Sequence, residues 1–375
     1  MGTRSKYFMV KKLLFPFLLL SFSTLVTFGF IELLSRMKFG NSELYMTRKE
    51  QVQSEPPAYK GSPYYSQEFV KDFIRKSIPP LEWDKNTNSI LLGDLVGRFY
   101  NVQHGHRVTV GASGSETLRI LLLGGSTIYN QEVPDEFTVA SLLQRCINTK
   151  YPKKYKVVNG GLVAVSTESH WTTLQKFSLK PGDHVIYYSG LNDLFYTVYE
   201  PRESDRLFLR GQEPKGIFKF ALKMKDQLYL FRGIVEMMTQ LVPPHLQDSK
   251  RVSELLTKFE DNYFNRIQTA WAYSIKNKAN FHHFLQGSLF HKTSPTSYEQ
   301  NLLKNSLLTP YGLNEIVVSG LERIDQRAKQ SDWMGAHHNL TKVFDQPQTG
   351  EIFFDYVHVN EKGNQMIANA ICSRL

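Results

Sequence analysis

Leu118-Arg119-Ile120-Leu121-Leu122-Leu123-Gly124-Gly125-Ser126-Thr127 is an apolar run that breaks on two glycines and a serine. Beyond it Val139, Leu142, Leu143 and Ile147 recur at helical spacing, so the stretch reads as strand, tight turn, helix. The same rhythm returns downstream: Tyr155 to Asn159 is a second short strand, Glu168 to Phe177 a helix, His184 to Ser189 a third strand and Phe281 to Gln286 a fourth. Alternating strands and helices predict an α/β fold, a doubly wound (flavodoxin-like) parallel sheet with helices on both faces. Ligands of such sheets bind beyond the carboxyl ends of the strands, which is where Ser126, Gly161 and Asn192 fall.

The chain as a whole is globular in composition. Of its 375 residues 41% are hydrophobic, and 25 Phe and 19 Tyr supply more aromatic surface than a disordered chain carries. The net charge of +10 would suit nucleic acid, but Lys and Arg are scattered, with no dense basic tract or nucleic-acid motif. The charge is read instead as a bias toward anionic surfaces such as lipid headgroups or acidic glycans. Cys146 and Cys372 are the two cysteines, which excludes a cysteine zinc cluster and leaves room for at most one disulfide. Their helices, one after the first strand and one terminal, share a face in a flavodoxin-like order, so the bond can form, two separately buried thiols being the commoner outcome.

Arg4, Lys6, Lys11 and Lys12 precede the run Leu13 to Ile31, which carries no charge until Glu32. Nineteen residues make a helix of roughly 28 Å, close to the thickness of a bilayer core. No small-x-small cleavage site follows, so the reading is an uncleaved signal anchor with its basic flank cytoplasmic and the bulk of the chain periplasmic or on the cell-surface side. The expected division is a cytoplasmic N-terminus over 1–12, a transmembrane anchor over 13–34, a stalk that packs partly on the main domain over 35–115, and a catalytic domain over 116–375. Within the last, helical patterns from Ile217 to Thr239 and Val252 to Tyr273 mark a helical insertion over about 197–278, placed to serve as a lid or as a structural cap. The stretch Arg98 to Val110 alternates in a strand-like way.

Acyl transfer by a serine needs a base to take its proton, a group to orient that base, and donors for the oxyanion. Ser126 sits at a strand-to-helix turn, where its own amide can point at a substrate. Alone, Gly124-Gly125-Ser126 equally suits a phosphate cradle or a helix cap. Gly161 and Asn192 each lie just past a later strand, Gly161 as a backbone donor or a turn residue, Asn192 as an amide donor or a helix cap. Phe354-Asp355-Tyr356-Val357-His358 brings a carboxylate and an imidazole onto one loop before a terminal amphipathic helix. Asp355 would fix the tautomer of His358, whose other nitrogen would meet the Ser126 hydroxyl. The pairs His282-His283 and His337-His338 put adjacent rings on opposite faces of a strand without acidic partners at ligand spacing, so no catalytic metal is expected.

Leu122-Leu123-Gly124-Gly125-Ser126-Thr127, Gly161, Gly190-Leu191-Asn192-Asp193 and Asp355-x-x-His358 stand in the order of the four blocks of the SGNH, or GDSL-like lipase/acylhydrolase, superfamily, which this chain resembles from Thr117 to Leu375. The resemblance implies Ser126 as nucleophile, Asp355 and His358 as the rest of a catalytic triad, and Ser126, Gly161 and Asn192 as oxyanion donors. It implies an esterase that removes acyl groups, acetyl included, from a glycan, lipid or small ester without a cofactor. Gly-Gly-Ser-Thr replaces the name-giving Gly-Asp-Ser-Leu, and the insertion after Asn192 departs from compact members. An O-acyltransferase using the same triad, or a non-catalytic glycan-binding or assembly protein on the same scaffold, would carry the same blocks.

Overall fold

A computed structural model describes residues 52–84, 89–199, 246–305, 313–345 and 350–375. The expected anchor over 13–34, the residues before it and the helical pattern over 217–239 lie outside the described residues. No helix among the described residues is long and apolar enough to cross a membrane.

In chain order the elements are α1 (Gln67–Lys76), β1 (Leu81–Asp84), β2 (Ser89–Leu92), β3 (Val102–Gln103), β4 (His106–Arg107), β5 (Leu118–Gly124), α2 (Ser126–Tyr129), α3 (Val139–Lys150) and β6 (Tyr155–Gly161). They continue with α4 (Thr167–Lys176), β7 (His184–Ser189), α5 (Leu191–Leu194), α6 (Ser249–Lys276), β8 (Asn280–Leu285), α7 (Ser297–Asn305), α8 (Leu313–Ala328), β9 (His337–Asn339) and α9 (Glu361–Cys372). The main sheet runs β3-β4-β6-β5-β7-β8-β9. Its five strands from β6 to β9 are parallel, in the flavodoxin-like order 2-1-3-4-5. β3 and β4 add an antiparallel edge to the expected parallel sheet, drawn from the strand-like stretch Arg98 to Val110.

Both faces of β5 are buried, and the two-residue period of a strand sorts its side chains between two cores. Leu121 and Leu123 join Leu174, Tyr187, Phe259, Ile267 and Leu321 on the face covered by α4, α6 and α8. Ile120 and Leu122 join Leu143, Ile147, Ile186, Ile367 and Ile371 on the face covered by α3 and α9. A fully buried side chain of this kind stabilises by roughly 1.5–3 kcal/mol, which is why the apolar run that opens the domain is also its centre. The second face carries one covalent tie: Cys146 of α3 and Cys372 of α9 are joined in a disulfide, where separate thiols were the commoner expectation.

α6 is the described part of the expected insertion, and it is a layer of the domain. Asp248 caps it by accepting from the amides of Lys250 and Arg251. Its Phe259, Tyr263 and Ile267 then face the sheet at helical spacing. Parallel strands β7 and β8 require such a crossover.

Residues 52–110, read as a stalk, contribute an aromatic cluster. Ser66 caps α1 through the amide of Phe69, and Phe69 and Phe73 turn one face of that helix onto Tyr59, Tyr64 and Tyr100. The cluster closes on Val133 and Phe354, the residue before Asp355. Tyr59 packs at a tilt on Phe354, ring centroids 4.3 Å apart, and donates to the Glu132 carbonyl at 2.9 Å, while Asn360 donates to the Ala58 carbonyl at 2.8 Å. The segment therefore packs against the two loops that flank the site.

Candidate active site

Ser126 is the first residue of α2, at the end of the central strand. The two glycines before it are there for space. A Cβ on Gly125 would stand 2.7 Å from Asn192 Nδ2, and one on Gly124 would overlap Ile128. α2 lasts four residues and ends on Asn130, which is held in the left-handed region at φ 56. That turn is clamped from the N-terminal segment by Arg107, a buried guanidinium on β4. Arg107 donates to the carbonyls of Tyr129 (2.7 Å), Asn130 and Val133 (2.6 Å), and pairs with Asp135 at 2.8 Å. Tyr100 and Tyr129 sandwich it at 4.9 and 5.3 Å. Burying a charge is tolerable only with its donors satisfied in this way.

Asp355 and His358 share a tight loop pinned by the Phe353–Val359 bridge and by the Phe354 amide, which donates to the His358 carbonyl at 2.9 Å. One oxygen of Asp355 accepts from the amides of Val357 (2.8 Å) and His358 (2.7 Å); the other lies 2.7 Å from His358 Nδ1. His358 Nε2 lies 2.7 Å from Ser126 Oγ. An ionised carboxylate only accepts, so the proton of a neutral His358 sits on Nδ1, and Nε2 is left to accept from the serine hydroxyl. A base oriented from one side and facing a hydroxyl on the other can take that hydroxyl's proton. Residues 232 apart in sequence, Ser126 and His358, are thereby brought together.

Asn192 stands on α5, its Nδ2 donating to the Val165 carbonyl at 2.8 Å, beside the space that Gly125 leaves open. The second N–H of that amide is free to serve a ligand by count. Next to it Asp193 accepts from the Thr167 amide (3.1 Å) and hydroxyl (2.5 Å), tying α5 to the start of α4. Gly161 is engaged within the protein. Its amide donates to its neighbour Asn159 Oδ1 at 3.0 Å, and a Cβ there would run into the backbone of Tyr129 and Ile128. It is a packing glycine beneath α2. The loop that borders Asn192 comes later, over residues 162–166, where Ala164 holds φ 54 and Val165 offers its carbonyl. An alanine gives no sequence signal for that conformation, and Arg107, lying in the stretch read as a stalk, gave none for its role.

The paired histidines divide between the faces of β8 and β9. His282 stacks on His184 at 5.2 Å, while His283 meets His337 with Nδ1 to Nδ1 at 2.8 Å. Among the described residues no cluster of three or more His, Cys, Asp or Glu is arranged to hold a metal ion.

No known family profile matches the chain, and no curated protein does. Among solved structures it is similar to a protein described as lipolytic and of the G-D-S-L family from Desulfitobacterium hafniense DCB-2, at 11% identity over 69% of this chain and 100% of that one, with a TM-score of 0.40. It is similar to an acetyl xylan esterase at 15% identity, over 68% of this chain and 98% of that one, with a TM-score of 0.41. It is also similar to an acetylxylan esterase from Geobacillus stearothermophilus, at 12% identity over 69% of this chain and 94% of that one, with a TM-score of 0.40.

Proposed function

We propose that this chain is a serine esterase of the SGNH type, acting through an acyl-enzyme on Ser126. The observation that carries the reading is the unbroken contact from Asp355 through His358 to Ser126, 2.7 Å at each step. In the reaction His358 Nε2 takes the proton of Ser126 as Oγ bonds to the ester carbonyl carbon. The Ser126 amide and the second N–H of Asn192 are the donors for the resulting oxyanion. Collapse breaks the bond to the alcohol, which leaves with the proton from His358. Water then gives a proton to His358 as it attacks the acyl carbon, and Ser126 recovers its proton as the acid departs. Asp355 holds the Nδ1 proton throughout, and no cofactor takes part.

The substrate class we favour is an acylated glycan or lipid outside the cytoplasm. Two observations support that setting: the apolar run Leu13 to Ile31 with its basic flank, and the Cys146–Cys372 disulfide, which suits an oxidising compartment. The whole protein in detergent, given a panel of acyl esters of sugars, lipids and small alcohols, should release free acid, and His358→Ala should release none above background. Undiminished hydrolysis by a folded His358→Ala protein would refute the mechanism. Protease added outside intact spheroplasts should digest the catalytic domain; digestion only after permeabilisation would reverse the orientation.

A further inference from the structure

A row of polar side chains crosses the α6 face of the sheet, where an α/β core is otherwise apolar. Ser189 Oγ lies 2.9 Å from Tyr263 Oη, and Tyr263 Oη 2.7 Å from His283 Nε2. His283 Nδ1 lies 2.8 Å from His337 Nδ1, and His337 Nε2 2.9 Å from Asp325 Oδ1. Ser189, Tyr263, His283 and Asp325 are buried, and the exposed Lys329 pairs with the other Asp325 oxygen at 2.7 Å. Buried polar groups are tolerated when every member is bonded, and here the donors assign themselves. The Asp325 carboxylate only accepts, so His337 carries its proton on Nε2 and accepts at Nδ1. The proton between the rings therefore belongs to His283 Nδ1. His283 Nε2 accepts from the Tyr263 hydroxyl, whose oxygen accepts from Ser189. Every bond points one way with both imidazoles neutral. An added proton on His337 either sets N–H against N–H or reverses each bond back to Ser189.

The inner end of this chain abuts the pivot of the site. Gly190, at φ 128, turns β7 into α5, which carries Asn192, and a Cβ on Gly190 would stand 3.7 Å from Tyr263 Oη. We propose that Tyr263, His283, His337 and Asp325 are positioning residues for Asn192, their directed hydrogen-bond chain fixing the end of β7 and thereby the angle at which α5 presents the Asn192 amide. The inference rests on Asn192 acting as an oxyanion donor.

The surroundings favour the neutral rings. His283 faces Ser189 through Tyr263, together with Trp333 and His337, while His338 acts on it from the other face of the sheet. His337 faces Asp325 and Lys329. Tyr263 faces Tyr187 and Asp193, and Arg266 lies 3.5 Å from Asp193. Burial first, and His337 and His338 second, hold His283 well below the usual histidine range. Burial also lowers His337, against the pull of Asp325. Burial would raise Asp325, but hydrogen bonds from Lys329, His337 and Asn339 outweigh it and hold the carboxyl low.

The test has an arm that needs no substrate. ¹⁵N-histidine NMR of the whole protein in detergent, assigned with His283→Gln and His337→Gln, should find His283 as the Nδ1–H tautomer and His337 as the Nε2–H tautomer at pH 7. The opposite tautomers, or an imidazolium at either position, would overturn the chain. In the second arm Tyr263→Phe should lower kcat on a p-nitrophenyl ester by roughly 10- to 100-fold with KM nearly unchanged, while a fluorophosphonate still labels Ser126 to completion. An unchanged kcat in folded Tyr263→Phe would overturn the positioning role; if that variant does not fold, Ser189→Ala, which trims only the inner end, is held to the same split. A wild-type protein that hydrolyses no ester while showing the stated tautomers refutes the esterase reading, whereas wrong tautomers in an active enzyme refute the chain.

Discussion

Two side chains border Ser126 and the glycine before it. His358 meets its hydroxyl, and Asn192 crowds the space that Gly125 leaves open. Removing the amide in Asn192→Ala should cost about 10² to 10³ in kcat, since one oxyanion donor is lost while the base stays in place; an effect confined to KM would argue for ground-state binding instead. Arg107 belongs to stability. Arg107→Met leaves Asp135 buried without its cation and several carbonyls without a donor, a loss of about 3–5 kcal/mol that urea denaturation would measure. A loss under 1 kcal/mol would show that water replaces the clamp. That Ser126, Asp355 and His358 meet was legible in sequence because each is a polar residue placed just past a strand or on a short loop. Arg107 was not, because its partners are backbone carbonyls that any sequence supplies, and Ala164 was not, because alanine does not announce a positive φ.

Among the elements, the strands and helices of the domain were readable because buried parallel strands are short apolar runs and their crossovers have helical periods. β5, β6, β7 and β8 fall within two residues of expectation. The edge strands β3 and β4 lie within the strand-like stretch Arg98 to Val110, but their bounds, two residues each, and their antiparallel direction are fixed by pairing across the sheet. α6 was readable as a helix but not as a layer of the core, since a crossover and an insertion look alike until β8 is paired with β7. Gly161 shows the same limit: a glycine after a strand is equally a donor, a turn or a contact. The contact makes its own prediction. Gly161→Ala should drive a methyl into the backbone of α2, so the thermal midpoint should drop by several degrees and activity should fall with it. A variant that melts like the wild type and loses only turnover would return Gly161 to the oxyanion role.

Over the whole molecule, two features govern when the domain holds together. The disulfide ties positions 226 residues apart, and reduction, or Cys146→Ser with Cys372→Ser, should cost about 2–4 kcal/mol of stability, read from the denaturation midpoint. Half-buried histidines add acid sensitivity. Burial, with neighbouring Lys154, pushes His184 down to about 4; burial with His184 and His338 pushes His282 to about 3; burial pushes His291 to about 4. Below about pH 6.5 the unfolded chain takes up protons at these positions while the folded one does not. Stability is therefore full above pH 6.5 and falls as pH drops toward 4, by at most about 1.4 kcal/mol per pH unit for each ring. A midpoint that stays flat from pH 7 to 4.5 would contradict this. Whether Ser126 is the nucleophile is decided by treating wild-type and Ser126→Ala protein with a fluorophosphonate and locating the adduct by peptide mass spectrometry. A single adduct on the peptide containing Ser126, absent in Ser126→Ala together with ester hydrolysis, is the expected result; an adduct elsewhere, or a folded Ser126→Ala protein that hydrolyses esters at the wild-type rate, would contradict a Ser126 nucleophile.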